Sequence, residues 1–320
     1  FPTRRSSDLP IPAKVYSITA FADKGEFPDQ PIPVKPAPAG NNIKTAETAE
    51  TVKSASQAFA LDKKAKDLYD RSIAQAQSIY SQDMPMSERV ERAYGIVDDT
   101  INSDLNALNT CIFALRSKDT YTYNHCLSVY TIMISALKTF TEHQQEDAFW
   151  DTFKTQCIKV NFSPPSLRKY GVGAILHDFG KTHIPDSILN KPGRLSEEEF
   201  TLMKKHPGLG VALLEQAGIT DREILQMVGN HHPGYILYRG EEQNPLVSIC
   251  SIIDIYDALR AKRAYKEPLD WPETKAILIE EKAKNGWEPF IFNTLVQEVF
   301  EGLEKDRQKI KETQKQTQVS

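Results

Sequence analysis

The stretch LHDFGKTHIPDSILNKPGRLSEEEFTLMKKHPGLG (176–210) decides the reading of this chain. It places His177-Asp178 at one end and His206 at the other, with a helix start between them. Ser196-Glu-Glu-Glu199 has the spacing of a capping box, in which the serine accepts from the third amide and the glutamate reaches back. A helix through Phe200, Met203 and Lys205 is therefore predicted. Working outward, His231-His232 follows downstream and precedes Pro233, and Asp254 lies in the apolar run SIIDIYDAL (251–259). Upstream, His125 closes DTYTYNH (119–125). The chain has only seven histidines, so these positions carry most of its imidazole. Imidazole with carboxylate is the ligand set of divalent zinc, iron and manganese. Any one of these histidines alone reads as an ordinary core or surface residue; together on one frame they point to metal.

The local backbone supports convergence. Neighbouring residues within a helix diverge by about 100°, so His231 and His232 do not point the same way in regular helix. Pro233 disfavours the α region at His232, which should end the helix there. Gly180 is expected to end the His177 helix in the same manner.

The chain has 320 residues, 40% apolar and 26% charged, with a formal charge of −4. This composition fits one large globular domain with extras, or two modest ones. It offers no broad basic field for duplex nucleic acid or an anionic membrane. The four cysteines, at 111, 126, 157 and 250, form no CxxC pair, and are read as reduced buried thiols in a cytoplasmic protein. Residues 120–137 lack Asp, Glu, Lys and Arg, but they carry Asn124, His125 and several hydroxyls and do not read as a membrane span.

FPTRRSSDL (1–9) reads as a translated adapter and is set aside. Residues 10–44 hold a β-like run, AKVYSIT (13–19), and then a Pro-rich linker (27–42). Residues 45–116 read as linker helices: 45–80 by composition, and Ser87–Leu115 by apolar residues at three-to-four spacing. Such helices suit packing on a neighbouring domain or pairing into a homodimer. Residues 117–304 read as successive helices, giving an all-α domain. KDRQKIKETQKQTQVS (305–320) lacks apolar spacing and is expected to be a disordered tail.

His177-Asp-Phe-Gly-Lys181 resembles the signature of the HD superfamily of metal-dependent phosphohydrolases. HIPDSILNKPGRLSEEEFTLMKKHPGLG (183–210) resembles the HD-GYP subfamily, whose members hydrolyse cyclic di-GMP. DTYTYNH (119–125) and SIIDIYDALRAKRAYKEP (251–268) are similar to that subfamily's first-histidine and closing helices. The match covers about 119–303. One departure stands out: HHPGYILYRGEEQNPL (231–246) is about five residues shorter than usual, and Gly234-Tyr235 lacks the following proline. Substrate fit is affected by this change; no metal ligand is lost.

The resemblance implies metal ligands at His125, His177, Asp178, His206, His231, His232 and Asp254, holding two divalent ions that share Asp178, with iron or manganese the expected identities. It implies hydrolysis of cyclic di-GMP to linear pGpG by a metal-activated hydroxide, with Asp178 at the reacting centre. Lys181, Arg263 and Lys266 match positions that hold the phosphates, although such side chains taken singly are more often solvated surface charges. Asp119, six residues before His125, suits protonation of the leaving oxygen or, equally, a helix N-cap. Some members hold a third ion through a glutamate four residues before the first histidine; here that residue is Tyr121, a poor ligand. Lys191 and Arg194 read as turn residues, His143 as exposed, and His183 as lying off the ligand frame. The expected partners are the cyclic dinucleotide and a diguanylate cyclase or adaptor protein. Two alternatives remain open: an HD phosphohydrolase for another nucleotide, and a non-catalytic module binding cyclic di-GMP or a partner.

Overall fold

The computed structural model describes residues 63–80, 84–101, 122–147, 163–191, 193–232, 244–261 and 267–319. The N-terminal β-like run, the Pro-rich linker and most of the loop after His232 lie outside these residues, as do Asp119, Tyr121, Arg263 and Lys266. Among the described residues the protein is all-α, with no strand.

The charge-free stretch becomes α3 (Thr122–Glu142), following α1 (Lys63–Tyr80) and α2 (Met86–Thr100). Every side chain of α3 from Tyr123 to Leu137 is buried. A helix buried on all sides must be enclosed by others, and α3 packs against α1, α4 (Pro164–Leu176) and α9 (Pro245–Arg260). No described helix is long and apolar enough to cross a membrane. Of the second linker helix expected over Ser87–Leu115, the structure describes Met86–Thr100, which packs on α1 and α4.

After α4 the chain turns at His177-Asp178 into a short 3₁₀ segment, Phe179–His183, and then α5 (Asp186–Leu189), α6 (Glu197–Met203), α7 (His206–Gln216) and α8 (Arg222–Asn230). The capping box forms as its sequence predicts: Ser196 Oγ accepts from the Glu199 amide, and Glu199 accepts from the Ser196 amide. α6 stops at Met203, two residues short of the expected Lys205. The helix before Pro233 ends at Asn230, so both His231 and His232 lie beyond regular helix.

Gly180 has a different role from the one its sequence suggests. α4 already ends at Leu176, and Asp178 leaves the helix at φ −97° and ψ 10°. A Cβ on Gly180 would lie 1.9 Å from the His206 carbonyl oxygen and 2.5 Å from the Gly210 amide nitrogen. Gly180 is thus a close-approach residue that seats the 3₁₀ segment on α7.

The C-terminal part runs through α10 (Trp271–Asn285), which ends on left-handed Gly286 (φ 64°), and α11 (Pro289–Thr294). A π turn, Leu295–Phe300, then leads into α12 (Glu301–Val319). The tail expected to be disordered over 305–320 is therefore helical over its described part, as far as Val319. Lack of apolar spacing says that a helix buries no stripe; it does not forbid one built from Glu, Lys, Gln and Arg, all good helix formers. Pairs three apart, Arg307–Glu304 and Lys309–Asp306, support it. Its first turn is anchored by a buried network: Glu304 takes a bidentate ion pair from Arg260, at the end of α9, and a 2.9 Å hydrogen bond from the Tyr256 hydroxyl.

Candidate metal centre

Five helices deliver the seven expected ligands to one buried place: α3 carries His125, the ends of α4 and α8 deliver His177-Asp178 and His231-His232, the start of α7 carries His206, and α9 carries Asp254. All seven are buried. Asp178 stands at the middle. Its Oδ1 is 3.2 Å from His206 Nε2 and 3.7 Å from His231 Nε2; its Oδ2 is 3.6 Å from His177 Nε2 and 3.7 Å from His125 Nε2. Asp254 Oδ1 lies 3.0 Å from His125 Nε2, and Oδ2 lies 3.9 Å from His232 Nδ1.

Three histidines share one device. His177 Nδ1 donates to Ala174 O at 2.8 Å, His206 Nδ1 to Met203 O at 2.8 Å, and His231 Nδ1 to Val228 O at 2.9 Å. Each acceptor lies in the last turn of a helix, where the carbonyls lack amide partners; His177 and His231 follow their helices directly, and His206 opens α7 three residues after Met203. For Met203 the reason is in the sequence. The residue four further on is Pro207, which has no N–H to give, so the His206 ring supplies the proton. A carbonyl can only accept, so Nδ1 carries the proton in all three rings and a neutral ring presents its Nε2 lone pair to the centre. Burial drives His177 down to about 4 and lowers His206, keeping both neutral near pH 7.

His125 is held differently. It sits within α3, and its Nδ1 lies 2.8 Å from Oδ2 of Asp257, while Ser128 Oγ donates to Asp257 Oδ1 at 2.5 Å. Burial opposes protonation of His125, but bonds to Asp254 and Asp257 outweigh it and raise the ring to about 9. Asp257 is the residue that sequence reasoning missed. The available signal was its place three after Asp254 in IDIYDAL, on the same helix face. Ser251, three before Asp254, completes that stripe, with Oγ at the His231 carbonyl and 2.8 Å from Val247 O.

The donor chemistry fits divalent cations. His206 Nε2 lies 3.3 Å from His231 Nε2, and both rings use Nδ1 as donor, so two lone pairs would face each other. A cation between them relieves that repulsion. His177 Nε2 and Asp178 Oδ1 are buried with no hydrogen-bond partner in acceptable geometry. Three groups of donors lie within 4.8 Å of one another: Asp178 with His206, His231 and His232; His125 with His177 and Asp178; and His177 with His231 and Asp254. Burial pushes both carboxyls up, yet Lys181 and the histidines hold Asp178, and His125 and the histidines hold Asp254, below the ordinary carboxylate range.

Of the other residues the sequence singled out, Lys181 places Nζ 2.5 Å from Asp178 Oδ2. Lys191 pairs with Glu199 at 2.5 Å, a structural use, and Arg194 is exposed. His183 is half-buried and bonded to Thr182. His143, expected to be exposed, is half-buried between Glu146 (2.5 Å) and Glu298 (2.9 Å). Among the described cysteines, Cys126 and Cys250 are buried free thiols.

The helical bundle with its histidine–aspartate centre contains a match to a known family: residues 122–259 match the model of the HD domain. The chain is 28% identical over 242 residues to a cyclic di-GMP phosphodiesterase of Pseudomonas aeruginosa, covering 72% of this chain and 53% of that protein. It is 33% identical over 133 residues to the cyclic di-GMP phosphodiesterase response regulator RpfG of Xanthomonas campestris, covering 39% and 35%. It is 35% identical over 132 residues to a 3'3'-cGAMP-specific phosphodiesterase of Vibrio cholerae, covering 38% and 24%. The chain thus spans about half the length, or less, of these relatives.

Proposed function

We propose that this protein is a metal-dependent phosphodiesterase that opens cyclic di-GMP to linear pGpG. The observation that carries the reading is the pair of donor sets meeting at Asp178, one through each carboxylate oxygen. Seven ligand groups exceed one tetrahedral site and suit two ions. Bound divalent ions would supply Lewis acidity at the phosphate and acidify a water near neutral pH. His125, His177, His206, His231 and His232 with Asp178 and Asp254 hold the cations, iron or manganese by preference. Lys181, beside Asp178 Oδ2, balances that carboxylate and is within reach of an incoming phosphate. Arg263 and Lys266 hold the remaining phosphate charge, and Asp119 protonates the leaving oxygen. The domain extends over 117–304, with 45–116 as a helical connection through which two copies or a diguanylate cyclase or adaptor would meet.

The altered 231–246 loop supports a second reading, in which the substrate is another cyclic dinucleotide, and the named activity of the Vibrio cholerae relative lends it weight. The test is turnover of cyclic di-GMP and of 3'3'-cGAMP by protein loaded with Mn(II) or Fe(II), followed by separation of the products. Turnover of cyclic di-GMP with raised KM and measurable kcat is expected, the pattern of lost uniform binding. Linear pGpG should accumulate, with slow onward hydrolysis because Tyr121 stands where a third ion's glutamate would. Asp178→Ala should abolish both turnover and most of the bound metal, whereas His143→Ala should change neither. No turnover of cyclic di-GMP at saturation with both metals bound would overturn the reading.

A further inference from the structure

His125 departs from the rule followed by His177, His206 and His231. Those rings give Nδ1–H to main-chain carbonyls at helix ends. His125 lies inside α3, where the carbonyls already serve the helix, so another acceptor has to be supplied. Asp257 supplies it from α9. The carboxylate is fully buried and takes two donors from α3, His125 Nδ1 on Oδ2 and Ser128 Oγ on Oδ1. Burying an anion is costly unless it is hydrogen-bonded and answered by charge; here both its oxygens are engaged and it faces a ring aimed at the cation site. Asp257 belongs to none of the three donor groups. It is therefore set apart from Asp254, one turn away, whose Oδ1 faces His125 Nε2 at 3.0 Å.

We infer that Asp257 is a positioning residue: it holds His125 with Nδ1 protonated and aims Nε2 at the ion, and Ser128 holds Asp257 in turn. This rests on the metal-dependent reading above, though not on the identity of the substrate. A carboxylate behind a ligating histidine fixes the ring and raises its basicity, and its loss costs about 10- to 100-fold in metal affinity. Because α3 supplies only His125 to the centre, the effect should fall on one ion. The set Asp178, His206, His231 and His232 needs nothing from Asp257.

Equilibrium dialysis of the full chain against Mn(II) tests this, with Asp257→Asn and Ser128→Ala beside the wild type. Asp257→Asn keeps the shape and one acceptor oxygen, and removes the charge and the second acceptor. One Mn(II) should weaken about 10- to 100-fold while the other stays within about threefold. Ser128→Ala should weaken the same ion by a smaller factor, and carries the test should Asp257→Asn not fold. The Co(II)-loaded protein adds a second signal, since the visible absorption of one ion alone should shift. Wild-type affinity for both ions in the folded variants would overturn the inference and reduce Asp257 to a tie between two helices. One weakened ion in variants of a protein that turns over no cyclic di-GMP would uphold it while overturning the substrate reading.

Discussion

Two parts of the centre solve the same problem by different means. On the side formed by the ends of α4 and α8 and the start of α7, the main chain fixes the rings: His177, His206 and His231 each give Nδ1–H to the carbonyl three residues back. On the side formed by α3 and α9, side chains do it: Asp257 holds His125, and Arg260 ties the end of the same α9 to Glu304. A main-chain lock depends on the backbone path and is indifferent to most substitutions. A side-chain lock can be removed or tuned one residue at a time. Damage to the first side should therefore be global and to the second graded.

The severest test breaks the backbone side. Gly180→Ala puts a methyl group 1.9 Å from the His206 carbonyl oxygen, in the backbone rather than at the end of a flexible side chain. A loss above about 4 kcal/mol is expected, since no rotamer relieves such an overlap. The measurement is urea unfolding with Mn(II) content; wild-type stability would mean that the segment after Asp178 is free to move.

Glu304→Ala comes next and strikes the anchor of α9. It leaves the buried Arg260 guanidinium without its bidentate partner, and removing one member of a buried pair costs about 3 to 5 kcal/mol. Thermal unfolding would fall accordingly, and deletion of residues 304–320 should do the same. Retention of the wild-type midpoint would show that α12 is not part of the domain's core.

Ser251→Ala sharpens the contrast, because Ser251 is a side chain of α9 that serves the backbone side through the His231 carbonyl. A loss of about 1 kcal/mol, typical of one hydrogen bond, is expected, with both ions retained. Loss of an ion would show that the His231 carbonyl needs help from α9.

The smallest effect concerns the far end of α3. His143 follows α3 and bridges Glu146 and Glu298, whose carboxylates raise its pKa above the ordinary 6.5. The folded value lies above the unfolded one, so this contribution is complete below about pH 6.5 and is lost as pH rises through the folded value. The glutamates are exposed, which limits it to under about 1 kcal/mol. Unfolding midpoints of wild type and His143→Gln between pH 6 and 9 should converge as pH rises; a constant gap would assign the difference to packing against Phe290.

What could be read from the residues follows this same division. The helix start at Ser196 and the all-α character were legible because each depends on spacing or on a local hydrogen bond, and His177-Asp178, His206 and His231-His232 stood out because they lie in stretches that resemble a known family. Asp257 was not, since its role exists only when α9 lies against α3, 132 positions from His125. Gly180 misled because glycine serves equally as a helix stop and as a point of close approach, and only the packing of α7 tells them apart. The helix over 305–319 was missed because its anchor, Arg260, lies forty-four positions earlier in the chain.

Pro207 carries a last consequence. By withholding its amide from Met203 O it recruits the His206 ring as the substitute donor, and the ring loses its rotational freedom when the chain folds. The ordering entropy of that imidazole is thus incurred during folding, together with the burial of the core. When a cation arrives, His206 has no search to make, and less ordering entropy is left to be lost on binding.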